Sequence, residues 1–210
     1  MKEKKISAAK PAKRSGVRPR AAGIQSHEVR IIGGLWKRSK LKVADKPGLR
    51  PTPDRVRETL FNWLGQDLTA WRCVDAFAGT GVLGFEAASR GAVDVLLVEQ
   101  DSALVLQLQR MQAHLNASAV RVVRGEGVAA LRQLAAGSQN LIFLDPPFDG
   151  GAYDTALAAA AKGLSPQGFV YLEAPVKWTD EQLAQTGLVV YRHLKAGAVH
   201  AHLLQKPMNA

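Results

Sequence analysis

The sequence predicts an α/β fold. It should hold a mostly parallel, doubly wound sheet with a C-terminal antiparallel hairpin and a small N-terminal β-hairpin/helix extension. Three observations predict it. From Arg72 onward, short apolar runs alternate with amphipathic segments, the pattern of successive βα units. A glycine-rich turn, VDAFAGTGVLG (74–84), follows the first of those runs. Near the C-terminus two strand-like runs meet at Ala196-Gly197 with no helical segment between them.

Each element follows from local pattern. Residues 1–25 are rich in Lys, Arg, Pro, Ala and Ser and poor in large apolar groups, so a disordered basic tail is expected. VRIIGGLWKRSKLKV (29–43) reads as a β-hairpin or small meander with Gly33-Gly34 as turn or bulge. Thr52 is placed to cap a helix, with Pro53 at its first position and Asp54 in its first turn. Val56, Leu60, Trp63 and Leu64 then recur at helical spacing. RCVDAF is a strand and Thr80 to Arg90 a helix. VDVLLVE is a strand and Asp101 to Asn116 a helix. AVRVVRG is a strand and Val128 to Ala135 a helix. NLIFLDPP is the fourth strand of the series, ahead of a helix from Ala152 to Lys162, and GFVYLEAP is the fifth. A short helix near Thr179 to Gln185 leads into the hairpin LVVYRHLK/AVHAHLLQK. The division expected is 1–25 tail, 26–68 extension and 69–210 main domain.

Composition narrows the function. The 210 residues carry a net charge of +10, and 47% are hydrophobic. Residues 1–57 hold 17 Lys/Arg against 4 Asp/Glu, whereas the remainder is slightly acidic. A basic segment on a near-neutral domain points to a polyanion, most often nucleic acid, or else to a solubilising tail. No apolar run is long enough to span a bilayer, and no secretory signal is evident. The single cysteine, Cys73, forbids an intrachain disulfide. A cytoplasmic monomer without membrane contact is expected.

Gly79, Gly81 and Gly84 spell GxGxxG at a strand-to-helix junction, and Glu99 ends the next strand, twenty residues after Gly79. That spacing suits a dinucleotide, with the acid on a ribose hydroxyl. Asp75 tilts the reading away from NAD. An acid at the strand's end receives an ammonium, which nicotinamide dinucleotides lack and S-adenosylmethionine has; Glu99 serves the ribose diol in either case. A third loop, Arg124-Gly125-Glu126-Gly127, either reaches an adenine edge through Glu126 or is an ordinary strand-to-helix turn.

LDPPF (144–148) ends the fourth strand, which lies beside the first in a doubly wound sheet. The exocyclic amine of a purine, adenine N6 or guanine N2, is a poor nucleophile because its lone pair is delocalised. The Asp145 carboxylate and the Pro146 carbonyl can each accept one of its N–H groups, which favours a pyramidal nitrogen aimed at a methyl donor. Pro146 and Pro147 stiffen the loop. Phe148 offers a face for the base. His200 and His202 share one face of a strand, but the sequence shows no third ligand, so no metal is predicted.

RIIGGLWKRSKL, PGLRPTPDRVRETLFNWL, DAFAGTGVLGFEAASRGA and LDPPF, in this order, resemble the bacterial 16S ribosomal RNA guanine-N2 methyltransferases of the RsmD type. The resemblance runs from about Arg30 to the C-terminus. It implies a class I, Rossmann-like methyltransferase fold and S-adenosyl-L-methionine as cofactor. The implied partner is 16S rRNA in the 30S subunit or its assembly intermediate. It places Asp75, Phe77, Gly79 and Gly81 in the donor loop and Glu99 on the ribose. Asp145, Pro146, Pro147 and Phe148 form the catalytic loop. Arg50, Thr52, Arg55 and Arg57 match the RPT.DRVRE segment, expected over the cofactor or RNA side of the cleft. On this reading Arg30, Lys37, Arg38, Lys40 and Lys42, together with Arg50, Arg55 and Arg57, contact the RNA, and Trp36 either stacks on a base or packs in the core. The rival readings are a DNA or RNA adenine-N6 methyltransferase, a noncatalytic ribosome-binding protein and an NAD oxidoreductase.

Overall fold

The computed structural model describes residues 28–44, 46, 51–147 and 151–207. The predicted tail, Arg50, Phe148 and His27 lie outside them.

Strands β1 (Glu28–Arg30) and β2 (Lys40–Lys42) pair antiparallel, Val29 opposite Leu41. Both central residues are buried while their charged neighbours are exposed, so the ribbon has one apolar side. That side, with Val56, Leu60, Phe61 and Leu64 of helix α1 (Asp54–Leu64), joins the same core as the main sheet. Thr52 does not cap α1: Pro53 occupies the cap position and no side chain closes it. The Thr52 hydroxyl is directed elsewhere, as described below.

The main sheet has the order β5-β4-β3-β6-β7-β9-β8. Its strands are β3 (Arg72–Asp75), β4 (Asp94–Glu99), β5 (Val120–Arg124), β6 (Gln139–Leu144), β7 (Leu164–Ala174), β8 (Val189–Ala196) and β9 (Val199–Gln205). The first five in spatial order are parallel, and β9 runs antiparallel to both β7 and β8. The expected fold class therefore holds, hairpin included. Helices α2 (Val82–Ser89) and α3 (Ser102–His114) share one face with α1 and the β1–β2 ribbon. Helices α4 (Gly127–Arg132), α5 (Tyr153–Gly163) and α6 (Asp180–Leu183) cover the other.

Several boundaries move for physical reasons. Helix α2 begins at Val82 rather than Thr80, because Gly79 and Gly81 both hold positive φ and prolong the loop. Strand β6 stops at Leu144, before the prolines that cannot donate ladder bonds. Strand β7 begins four residues earlier than the apolar run suggests and is bulged against β6 near Gln139.

All eight residues of α2 are buried, with the sheet beneath and the extension above. The Leu35 N–H donates to Ser89 O (2.7 Å), and the Ser89 hydroxyl donates to Gly33 O (2.6 Å). Gly34, at φ +72°, lies so close that a Cβ would stand 1.8 Å from Ser89 O. Only glycine fits there.

Candidate active site

Four neighbouring parallel strands each end near an acid. In spatial order these are Glu99 on β4, Asp75 on β3, Asp145 just past β6 and Glu173 near the end of β7. The register pairs Asp75 with Leu97 and with Phe143, and Leu144 with Leu172. Side chains two residues apart on a strand share a face. The acids of this row therefore project toward the face that carries α2, α3 and the extension. The glycine loop and the DPP loop thus adjoin at the switch point between β3 and β6, as the sequence required.

Asp75 is buried, and burial pushes its carboxyl up to about 7, with Glu99 and Glu173 adding repulsion. The backbone N–H groups of Phe77 and Gly84 pull in the opposite direction. Burial raises Asp145 well above the ordinary carboxylate range, and the neighbouring Glu173 and Asp75 raise it further. Glu173 is buried and raised by desolvation, against hydroxyl donors from Thr52 (2.6 Å) and Tyr171 (2.8 Å), both on Oε1. Three like charges in one buried patch, with no cation among the groups that shift them, are costly while empty. The patch suits a ligand that brings positive charge and N–H donors.

The loop before α2 suits the same ligand. The Gly79 N–H donates to Glu99 Oε2 (2.9 Å) and the Asp101 N–H to Oε1 (2.8 Å), so Glu99 ties the loop to the end of β4. Gly81 holds φ +76°, and a Cβ there would meet the Leu108 side chain at 2.4 Å. The half-buried Phe77 ring follows Asp75 on the same turn. Glu126 acts as the cap of α4, accepting from Val128 N (2.8 Å) and Ala129 N (2.6 Å). Of the two roles the sequence left open for that loop, the turn is the one its carboxylate fills. Pro146 is buried and Pro147 exposed beside the half-buried Asp145.

Arg57 overturns an expectation. It was placed among the RNA-contacting residues, but it is fully buried. Its Nη1 donates to Glu86 Oε1 (2.5 Å) and Arg30 O (2.8 Å), Nη2 to Asp54 (2.5 Å) and Nε to Thr52 O (3.0 Å). Four of its five N–H groups are used within the chain, and full burial keeps the guanidinium from a phosphate. A polar chain therefore runs from Glu86 on α2 through Arg57 and Thr52 to Glu173. Arg30, Lys37, Arg38, Lys40, Lys42 and Arg55 are exposed, and Lys40 pairs with Glu28 (2.7 Å). Trp36 packs, half-buried, against the core. Burial pushes the Cys73 thiol up, which makes it a core residue rather than a nucleophile.

Residues beyond the sequence-derived set also sit here. Glu173 and Tyr171 join Thr52, which the sequence did single out, in one hydrogen-bonded group. GFVYLEAP carried the same signal as LDPP, an acid at the end of an apolar strand, and that pattern could have found Glu173. Tyr153 also faces the patch: burial and the nearby Asp145 push its hydroxyl up to about 12, and its ring lies 6.0 Å from Trp178. His193, which showed no pattern in sequence, lies opposite His202 and bonds His200 (2.9 Å) across the β8–β9 hairpin. Among the described residues no group of three or more His, Cys, Asp or Glu is arranged to hold a metal ion. No described helix is long and apolar enough to cross a membrane.

The family described as "Conserved hypothetical protein 95" matches residues 29–205. "Ribosomal RNA small subunit methyltransferase D" of Escherichia coli strain K12 is 40% identical over 178 residues, covering 80% of this chain and 89% of its own. The protein of that description from Haemophilus influenzae is 39% identical over 182 residues, covering 79% and 92%. Among solved structures, the Escherichia coli protein yhhF superposes with a TM-score of 0.75 at 38% identity, over 87% of this chain and 100% of its own. A precorrin methyltransferase from Geobacter metallireducens, 18% identical with a TM-score of 0.61 over 79% of this chain and 93% of its own, shares the fold alone. The chain belongs to the small-subunit ribosomal RNA methyltransferase D family, and its fold is the α/β methyltransferase fold.

Proposed function

From that membership and the row of acids, we propose that this chain transfers a methyl group from S-adenosyl-L-methionine to the exocyclic N2 of a guanine in 16S rRNA. The substrate is the 30S subunit or its assembly intermediate, and the setting is the cytoplasm. The observation that carries the proposal is the junction of the glycine loop with Asp145 across two hydrogen-bonded parallel strands, Ala76 N–H donating to Phe143 O at 3.2 Å.

The residues fit the cofactor. Asp75 is a buried acid raised by desolvation with no cation acting on it among the described residues, and an amino-acid ammonium would supply one. Gly79 and Gly81 allow close backbone approach, Glu99 meets a ribose diol, and Phe77 and Thr52 border the pocket. Glu126 holds the α4 turn beside it. Bound there, S-adenosyl-L-methionine supplies an electrophilic methyl carbon on a sulfonium. Asp145 accepts one N–H of the guanine amine and the Pro146 carbonyl the other, which localises the lone pair. Pro146 and Pro147 hold those acceptors fixed, and Phe148 offers a stacking face. Once methylated, the nitrogen is a strong acid, so Asp145 need be only a weak base to take its proton. Residues 69–210 carry the chemistry. Residues 26–68 present Arg30, Lys37, Arg38, Lys40, Arg50 and Arg55 to the rRNA backbone, and Thr52 reaches from that extension into the pocket.

Mass-spectrometric mapping of rRNA from cells with and without this protein tests the proposal. One N2-methylguanine in 16S rRNA should vanish with the gene and return with the wild-type chain, but not with Asp145→Ala. An unchanged rRNA methylation pattern, or a lost N6-methyladenine instead, refutes it.

A further inference from the structure

Glu173 belongs to none of the motifs that led to the site, yet it is the best-prepared acid in it. It is 5% exposed. Its only hydrogen bonds among the described residues come from Thr52 Oγ1 and Tyr171 Oη, and both fall on Oε1. Both hydroxyls donate, which favours the ionised carboxylate and fixes its plane. Oε2 carries no hydrogen bond among the described residues. The pairing of Leu144 with Leu172 sets Glu173 beside Asp145, and the Glu173 charge adds to the burial that raises the Asp145 carboxyl. Two carboxylates therefore stand side by side, one on the amine-binding loop and one anchored from behind by two hydroxyls.

Purine edges differ in what they offer such a pair. Guanine presents two donors side by side, N2–H and N1–H. Adenine presents N6–H beside N1, an acceptor. An acceptor next to the amine-binding acceptor matches guanine and repels adenine, because a carboxylate kept ionised by two hydroxyl donors has no proton to share with a ring-nitrogen lone pair.

We propose that Glu173 is the specificity-determining residue of this site: its Oε2 accepts the N1–H of the target guanine while Asp145 accepts the N2–H. The inference rests on the proposed guanine-N2 activity and adds what selects the base. Thr52 and Tyr171 are its positioning residues. The buried chain through Arg57 and Glu86 holds Thr52 in place, so the docked extension contributes to base choice as well as to rRNA contact.

Small subunits reconstituted with 2-aminopurine at the target position test this directly. That base keeps the N2 amine but carries a lone pair where guanine has N1–H. Wild-type protein should prefer guanine by roughly 10- to 100-fold in kcat/KM, the range for one lost base-edge pairing. In Glu173→Gln, the amide oxygen retains the two hydroxyl donors and turns its NH2 toward the base. The preference should then collapse toward unity or invert. A wild-type protein indifferent to the two bases overturns the proposal. So does a Glu173→Gln protein that loses rate on both alike, whether partly or completely, since that is the signature of a merely structural acid. If wild-type protein places no N2-methyl group on unmodified subunits, the underlying activity fails instead, and that result is read before any base is exchanged.

Discussion

Two buried charged clusters lie in this molecule, and they are built on opposite rules. Under the β1–β2 ribbon, Glu86 is surrounded by Arg57 (2.5 Å), Arg90 (3.3 Å) and the Ile32 N–H (2.6 Å). Arg90 is also held by Gln66 (2.6 Å) and lies over the Phe61 ring at 4.4 Å. Burial still pushes the Glu86 carboxyl up, but both cations pull it back. At the strand ends, burial raises Asp75, Asp145 and Glu173; Glu173 adds repulsion at Asp75 and Asp145, Asp75 adds it at Asp145, and among the described residues no cation is found acting on the three. The first cluster carries its counter-charges within the chain, which makes it a joint. Among the described residues the second has none, which makes it a receptor. Buried charge marks function only where the partner has been left out.

The joint gives the largest expected effect. Arg57→Ala leaves the buried Glu86 carboxylate with only the longer Arg90 contact and the Ile32 N–H, and should cost about 3 kcal/mol, the low end for breaking one side of a buried pair. Urea denaturation measures it. Replacing Arg57 and Glu86 together by Met and Leu should cost less than the two single replacements summed, even though it leaves Arg90 to Gln66; strict additivity would mean the pair is no unit. At the receptor, Asp145→Ala should lower kcat by roughly 10²- to 10³-fold, as removal of one preorganised acceptor does. Its unfolding midpoint should stay at or above the wild-type value, because a like charge is removed. Single-turnover rates and denaturation curves, run together, separate those two outcomes.

Asp75 sharpens the contrast through pH. Its folded carboxyl titrates near 7 against an ordinary 3.8. Between those values the folded protein holds a proton that the unfolded chain has released. Stability contributed at this group is therefore fully present below about pH 4 and is lost as pH rises toward 7. Asp75→Asn should remove that slope. The variant should gain stability relative to wild type between pH 5 and pH 8, by a few kcal/mol at most, while losing affinity for S-adenosyl-L-methionine. A pH-independent difference would contradict the assignment. The smallest effects belong to the exposed basic residues. Lys37→Glu and Arg55→Glu should leave the unfolding midpoint unchanged and flatten the salt dependence of subunit binding, by about one unit of slope per lost phosphate contact.

The two regions were also unequally legible in the sequence. Most of the receptor could be read from it. Asp75, Gly79, Gly81, Glu99 and Asp145 stand at strand ends, and in a doubly wound sheet a strand's C-terminal end has a known destination. Glu173 carries the same mark in GFVYLEAP, but only a single proline, Pro175, follows it, with neither a glycine loop nor a proline pair to set it apart. The joint could not be read at all. Arg57 looked like one more cation in a basic segment, and Glu86 like a polar position on a helix. Nothing local says that two residues 29 apart will meet in the core. Thr52 shows the same gap. Its place ahead of Pro53-Asp54 suggested a helix cap, while its partner lay 121 residues away on β7.

By itself the sequence determined the alternation of strands and helices, the strand ends where the chemistry gathers and the class of amine that chemistry suits. Those features rest on short-range rules, namely side-chain periodicity, the missing N–H of proline and the conformational freedom of glycine. Only the tertiary structure decided which charges are paired and which are left waiting. Pairing depends on contacts between distant segments, and the energy of a buried carboxylate is set by what the fold brings beside it.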